Sequence, residues 1–257
     1  MSNESNYHFN FDELKMYFAE DFVVSDYLTI KQPTIGDIVT FGEMNVESSI
    51  MPFVSNSTTH RLQLWEVGVD WNKISDYQLF LMFYPALTPK ITKLVFDGYD
   101  FSKLIPYKDA DEQISLYDSE GNEVINEMTY YYISQYLKKM FDRHPKVEKA
   151  KGKLTKQAII DEDKMNLENK KRNKKKGSSS YLLPLISALV NHPGFKYSTK
   201  DLRNVGIVEF MDSVNRLQIY EQCRAFLGGM YSGFMDTSKL SKTELSERTN
   251  WLRDISS

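Results

Sequence analysis

The stretch from Leu94 to Met128 interrupts a chain whose other segments mostly carry helical patterns, and it therefore constrains the fold class. It contains the short segments KLIPYK, QISLYD and EVINEM, and the turn signal DSEGN (Asp118 to Asn122) separates the last two. Short segments joined by turns of Asp, Gly and Asn are typical of antiparallel strands. The sequence therefore predicts an α+β, helix-dominated fold with a small antiparallel β hairpin or meander near residues 94–128.

Helix start signals precede this stretch. FDELKMYFAE predicts a short helix, and DFVVSDYLTIKQP predicts one strand that a proline closes. Thr34 followed by Asp37 predicts a capping-box start for the helix IGDIVTFGEMNVESSIM, which Pro52 ends or kinks. Ser75 followed by Gln78 predicts a capping-box start for the helix YQLFLMFYPAL. That segment is apolar on nearly every side, so we expect a buried helix.

Helical patterns also follow this stretch. MTYYYISQYLKKMF has apolar residues at three- and four-residue spacing, which predicts an amphipathic helix whose tyrosines pack in a core. Stacking of nucleic-acid bases on these tyrosines is the less favoured alternative. The pair Gly228 and Gly229 predicts a break in a later long helix, and Ser241 with Glu244 predicts a capping box for the last one.

Changes of composition divide the chain into three parts. HPKVEKAKGK is a candidate linker, and the polar helix pattern after it has acidic residues early and basic residues late, ending near Gly177. A GSSS segment follows, and the rest of the chain carries helical patterns. We expect a mixed α/β N-terminal domain at residues 9–143, a charged helix or linker at 144–177, and a helical C-terminal domain at 178–257.

A basic segment ends the middle part. Residues 138–176 contain 15 Lys and Arg against 6 Asp and Glu, although the whole chain has a net charge of −3. The last cations are Lys170, Lys171, Arg172, Lys174, Lys175 and Lys176. They form a hinge, a solvated helix end, or a site for nucleic acid or an acidic partner. The acidic flanks favour the first two alternatives over a nucleic-acid site.

No catalytic, cofactor or metal site can be recognised in the sequence. There is no glycine-rich phosphate loop, and the four histidines lack metal-ligand spacing. The acidic run Asp161 to Asp163 is expected to form a solvated helix face, and the single cysteine, Cys223, to be a small core residue. No apolar run is long enough to span a bilayer. We therefore expect a non-enzymatic protein without cofactors that does not enter a membrane.

Aromatic and Met residues are the candidates for contact with a partner protein. Tryptophans are typical anchors of protein interfaces, although they also pack in cores. The glycine-rich stretch LGGMYSGFM breaks the apolar stripe of its helix, which leaves apolar side chains for a partner groove. The candidate partner-binding residues are Trp65, Trp71, Met230, Tyr231, Phe234 and Met235.

Several blocks of the sequence resemble a protein family. IKQPTIGDIVTFGE, LWEVGVDWNKISDYQLFLMF, QISLYDSEGNEVI, SYLLPLISALVNHPGFKY and TELSERTNWLRD occur in the order found in proteins of about this length from phages and prophages of Gram-positive hosts. The resemblance extends from about Asp12 to Asp254. Members of this family are encoded among tail-morphogenesis genes, near those of the tail tube and tape measure.

This resemblance implies protein–protein binding in tail assembly. The expected function is that of a tail assembly chaperone for the tape measure protein, in the host cytoplasm. The first alternative is a structural virion protein of the tail or its connector, and the second is a sequence-independent nucleic-acid-binding protein that uses residues 138–176. The expected partners are the tape measure or tail tube protein, or further copies of the chain. The family implies no catalytic residues.

Overall fold

The computed structural model describes residues 11–173, 180–235, 238, 240–253 and 255. The described chain is mostly helical and contains two small antiparallel sheets, so the predicted helix-dominated α+β fold is confirmed. The strands are β1 (Phe22–Ser25), β2 (Leu28–Ile30), β3 (Ile105–Lys108), β4 (Ile114–Tyr117) and β5 (Glu123–Ile125). The helices are α1 (Glu13–Tyr17), α2 (Ile35–Phe41), α3 (Glu43–Val54), α4 (Arg61–Glu66), α5 (Asp76–Phe83), α6 (Pro89–Thr92), α7 (Glu127–Met140), α8 (Lys153–Asn173), α9 (Leu182–Val190), α10 (Thr199–Leu202), α11 (Ile207–Tyr231) and α12 (Lys242–Thr249).

The segment predicted as one strand is a hairpin. β1 and β2 pair antiparallel, with Phe22 opposite Ile30, and the register shifts between Val23 and Ser25. The N–H of Tyr27 donates to the hydroxyl of Ser25 over 3.3 Å, which closes the turn locally. The single-strand prediction was wrong because it overlooked the turn signal of Ser25 and Asp26, which stand without Gly or Pro.

The predicted meander is present as β3, β4 and β5 in sequential order. Its second turn is the DSEGN segment, where the carboxylate of Asp118 accepts hydrogen bonds from the N–H groups of Glu120 and Asn122, each over 2.9 Å. Gly121 has a φ of 87°, a conformation that glycine adopts without a steric penalty. The hydroxyl of Tyr77 on α5 donates to the carbonyl of Ile114 over 2.7 Å, which joins the meander to the helices.

The predicted capping box is present at the start of α2. The N–H of Asp37 donates to the hydroxyl of Thr34 over 3.1 Å, and the carboxylate of Asp37 accepts from the N–H of Thr34 over 3.0 Å. The helix expected to continue to Pro52 instead divides at Gly42, whose φ of 95° is not helical. Pro52 lies inside α3, which ends two residues later at Val54.

The main core is centred on aromatic rings of α3, α5 and α7. Phe53 has no exposed surface, and its ring centroid lies 4.8 Å from that of Phe80 and 5.1 Å from that of Phe96. Tyr130 on α7 packs against Phe80 with centroids 5.0 Å apart. The tyrosine-rich helix therefore contributes to the core, as its spacing predicted.

The helical C-terminal part shares this core with the N-terminal part. Leu182, Leu189 and Phe210 are buried in the same cluster as Phe53. The N–H of Ile35 donates to the carbonyl of Val205 over 2.9 Å. The expected boundary at residues 144–177 therefore does not separate two cores.

A second, smaller core holds the segment that was predicted as a linker. Its buried residues come from α4, the loop after it, α5, the segment before α8, and α8 itself: Leu64, Trp71, Leu79, Ala150 and Ile160. The amide of Asn56 donates to the carbonyl of Lys146 over 2.9 Å, and that of Asn72 to the carbonyl of Ala150 over 2.7 Å. Residues 144–163 are thus docked on the helices. The predicted helix end near Gly177 lies outside the described residues.

The C-terminal helices differ from the prediction in one respect. α11 runs continuously from Ile207 to Tyr231 through Gly228 and Gly229, so the predicted break at this pair was wrong. The capping box at Ser241 is present. Among the described helices, none combines the length and the hydropathy that crossing a membrane requires.

Candidate functional site

An apolar cleft lies between α2 and α3 on one side and α9 on the other. Its volume is about 850 Å³. Its floor consists of core residues, among them Ile50 and Phe141, which are 0% and 7% exposed. The local sequence explains the position of the walls, because Gly42 turns the chain between α2 and α3 and leaves both helices beside the same depression.

The rim of the cleft exposes apolar side chains from both walls. Met44 and Val39 are 73% and 50% exposed on the α2–α3 side. Leu183 and Tyr181 are 63% and 50% exposed on the α9 side. Scattered apolar side chains are common on protein surfaces, but a group that borders one depression is typical of a binding site.

The two walls are connected through Glu43. Its carboxylate accepts hydrogen bonds from the N–H groups of Tyr181 (2.7 Å) and Leu182 (3.4 Å) and from the hydroxyl of Ser180. These N–H groups lie at the N-terminal end of α9, where a negative charge is favourable. The carboxylate therefore holds the start of α9 against the start of α3.

An ion pair forms the polar end of the cleft. The guanidinium of Arg143 lies 2.5 Å from the carboxylate of Glu47 and 5.2 Å from the centroid of the Tyr181 ring. Both side chains are partly exposed, at 32% for Arg143 and 42% for Glu47. The cleft thus offers an apolar surface with a charged pair at one edge.

A second cleft, of about 900 Å³, shares Arg143 and Met211 with the first and is lined by charged residues. Burial raises the pKa of Asp76 in this cleft, although the positive charge of Lys138 opposes the shift. Burial also lowers the pKa of Lys138. The described residues include no group of three or more His, Cys, Asp or Glu side chains arranged to hold a metal ion.

The two tryptophans proposed for partner contact lie together in the second core. The ring centroids of Trp65 and Trp71 are 5.9 Å apart in an edge-to-face arrangement. Trp71 is only 2% exposed, and the ammonium of Lys156 lies 5.5 Å from its ring centroid. For Trp71, packing is therefore the correct alternative. Trp65 is half-buried and lines a shallow depression of about 410 Å³.

The other proposed partner residues lie at and just beyond the end of α11. Tyr231 and Phe234 are 81% and 94% exposed, Met235 is 38% exposed, and Met230 is half-buried. α11 is 25 residues long, and its first half contributes Phe210 to the main core. Tyr231 and Phe234 are thus accessible to a partner, and the role of all four residues in binding stays a prediction.

The basic segment is described only in part. Lys170, Lys171 and Arg172 are exposed in the last turn of α8, and Arg172 lies 3.8 Å from Glu168. The remaining predicted cations, Lys174, Lys175 and Lys176, lie outside the described residues. Earlier in the same helix, Asp163 departs from the predicted solvated face, because its carboxylate forms two hydrogen bonds with the guanidinium of Arg61.

Sequence reasoning missed the rim of the cleft. The segment LLPLISALV of α9 has one polar residue among nine. Leu182 and Leu189 are buried and their apolar neighbours pack against the core, but Leu183 is 63% exposed. This apolar run was the available signal, because a helix that is apolar on nearly every side is usually covered on nearly every side. No protein-family model, curated protein or solved structure matches this chain.

Proposed function

We propose that the protein binds an apolar helix of a partner protein in the cleft beside α9, and that it acts in phage tail assembly as a chaperone of the tape measure protein. The supporting observation is the exposure of Met44 and Leu183 on opposite sides of one apolar depression. Burying a side chain of this size contributes about 1.5–3 kcal/mol, so a partner that covers both gains substantial binding free energy.

The composition of the cleft favours a helix as the occupant. An amphipathic helix binds a groove through apolar residues spaced three and four apart along one face. Methionine adapts to different partners because its side chain is unbranched and flexible, and Met44 stands at the rim. The pair of Glu47 and Arg143 at the edge provides charged groups for the polar flank of such a helix.

The assignment to tail assembly rests on the resemblance in sequence. Chaperones of this class keep the apolar helices of an unassembled tape measure protein in solution. An exposed apolar cleft suits that task, because it covers a partner's apolar stripe until assembly. The alternative of a structural virion protein has the same sequence support and differs in whether the chain remains in the finished particle.

Co-expression with the tape measure protein of the same genome tests the proposal. Met44→Lys and Leu183→Lys place a charge in the cleft and are expected to reduce co-purification about tenfold or more. Leu154→Lys is the matched control, because Leu154 is 88% exposed on α8. Urea unfolding of all three variants shows whether each is folded. Equal co-purification of the wild type and both folded cleft variants would contradict the proposed binding site.

Mass spectrometry of purified particles and infected-cell lysate separates the chaperone from the virion protein. A chaperone is expected in the lysate and absent from particles. A fixed ratio of this chain to the tail-tube protein in particles would overturn the chaperone role.

A further inference from the structure

The second half of α8 extends from the body as a basic arm, defined here as residues 164–172. Ile160, which is fully buried, and Asp163, which pairs with Arg61, join the first part of the helix to the body. Every residue of the arm is exposed. At 1.5 Å per residue, the arm projects by roughly 13 Å. It contains four cationic residues and one acidic residue: Lys164, Lys170, Lys171, Arg172 and Glu168.

The arm also exposes two apolar side chains. Met165 and Leu167 are 58% and 43% exposed. A short helix that is solvated on all sides is only marginally stable in water. A partner surface that supplies negative charge and apolar contacts would therefore stabilise the arm.

The meander presents a surface with the complementary properties. All four residues of the edge strand β3 are exposed, with Ile105 at 60% and Tyr107 at 62%. Residues 105–127 contain one lysine and seven acidic residues, a net charge of −6. Six of these acids are exposed: Asp109, Asp111, Glu112, Glu120, Glu123 and Glu127. The meander thus combines acidic groups with exposed apolar side chains. The arm also exposes apolar side chains, but its charged groups are mostly basic.

The edge of β3 is poorly suited to pairing with another strand. Pro106 has no N–H to donate, and prolines are tolerated on edge strands for that reason. A partner is therefore expected to contact the side chains of β3 and the acidic turns, which a helix can do.

We infer that the basic arm of one copy docks on the meander of a second copy. The arm and the meander are both exposed within one chain, so neither covers the other in the monomer. The contact joins two different surfaces, and repeated contacts of this kind produce rings or filaments. A second copy is favoured over nucleic acid because the arm carries apolar side chains and the whole chain has a net charge of −3, which repels a polyanion.

Neutralising either surface tests the contact. The arm variant is Lys170→Gln, Lys171→Gln and Arg172→Gln, and the meander variant is Asp111→Asn, Glu112→Gln and Glu120→Gln. Sedimentation velocity over a concentration series is expected to show about tenfold weaker association for each variant, and weaker association of the wild type at high salt. The matched control for the arm variant is Lys149→Gln, Lys151→Gln and Lys153→Gln, which removes the same three positive charges at exposed positions and is expected to associate like the wild type.

Mixing the two variants identifies which surfaces meet. Each variant retains the surface that the other lacks, so an equimolar mixture is expected to form dimers without larger species. Wild-type protein that remains monomeric at all concentrations would overturn the inference, as would an arm variant that associates normally. A monomeric wild type that binds a DNA oligonucleotide, with binding lost in the arm variant, would assign the arm to nucleic acid instead. The cleft variant Met44→Lys is expected to associate normally, which keeps this test independent of the chaperone proposal.

Discussion

Glu43 and Tyr181, 138 residues apart in the chain, are joined by a hydrogen bond of 2.7 Å from the N–H of Tyr181 to the carboxylate of Glu43. The hydroxyl of Ser180 donates to the same carboxylate and accepts from the N–H of Leu183 over 2.9 Å. The first turn of α9 is thus capped partly by its own serine and partly by a residue of α3. This contact sets the position of α9, and with it the width of the apolar cleft.

Glu43→Ala is expected to lower the free energy of unfolding by about 1–2 kcal/mol, the usual cost of losing a helix cap. It is also expected to increase hydrogen exchange at the start of α9, because the N–H groups there lose their acceptor. Urea unfolding and hydrogen exchange measure the two effects. The control is Glu66→Ala at an exposed position, where a change within about 0.5 kcal/mol is expected. Unchanged exchange in α9 would show that Glu43 does not hold this helix.

Arg61→Ala is expected to release α8 from the body. The guanidinium of Arg61 makes two hydrogen bonds to the carboxylate of Asp163, and these side chains are 16% and 23% exposed. Removing Arg61 leaves the carboxylate of Asp163 mostly buried without its partner. Because water can partly reach this carboxylate, we expect the free energy of unfolding to fall by about 1–3 kcal/mol. Urea unfolding measures the cost, and hydrogen exchange at 153–163 measures the release.

Arg172→Ala is the control for this variant. Arg172 lies in the same helix and pairs with Glu168 over 3.8 Å, but both side chains are solvent-exposed, at 77% and 67%. Such pairs contribute at most about 0.5 kcal/mol. Equal stability losses for the two variants would mean that the contact with Asp163 does not dock the helix.

Gly228→Ala is expected to stabilise the protein by about 0.5–1 kcal/mol, because glycine inside a helix costs conformational entropy that alanine does not. Nothing lies within 4 Å of the position that the added Cβ would occupy. Gly36→Ala is the opposite case, since its Cβ would lie 2.7 Å from the carbonyl oxygen of Arg203. Thermal unfolding is expected to show a higher Tm for the first variant and a lower Tm for the second. A lower Tm for Gly228→Ala would mean that the helix does break at this pair.

The features that the sequence predicted correctly are local ones. The capping boxes at Thr34, Ser75 and Ser241 each connect residues three positions apart, and the DSEGN turn is closed by Asp118 within its own five residues. The hydrogen bonds that form these features are encoded in neighbouring residues, so pattern alone predicts them. The turn between β1 and β2 was missed because Ser25 and Asp26 are a weaker turn signal than one that includes Gly, Pro or Asn.

The features that the sequence did not predict depend on distant contacts. The shared core follows from pairings such as Ile35 with Val205, which no local pattern indicates. The exposed residues at the end of α11 could be proposed because glycines interrupt the apolar stripe there. The cleft could not be proposed from the sequence, because the exposure of Val39 and Met44 depends on how α2, α3 and α9 are oriented around the core. Their role in binding a partner stays a prediction.

Asp76→Asn is expected to make the protein more stable near neutral pH, by an advantage that shrinks as the pH falls. Burial is the largest influence on Asp76 and raises its pKa above the ordinary value of 3.8, while Lys138 and the N–H of Ser57 oppose the shift. The folded state therefore binds a proton more tightly than the unfolded state does. This contribution to stability is fully present below the unfolded pKa and is lost as the pH rises through the folded pKa. Asparagine carries no charge, so it avoids the cost of burying the carboxylate.

Urea unfolding at several pH values between about 3.5 and 7 measures the effect, and the advantage of Asp76→Asn over the wild type is expected to shrink towards the acid end. Asp26→Asn, at an exposed turn position, is the control for removing one negative charge. If Asp76→Asn is instead less stable than the wild type near neutral pH, attraction between Asp76 and Lys138 outweighs the cost of burial. In that case the charged cleft is held together by this pair.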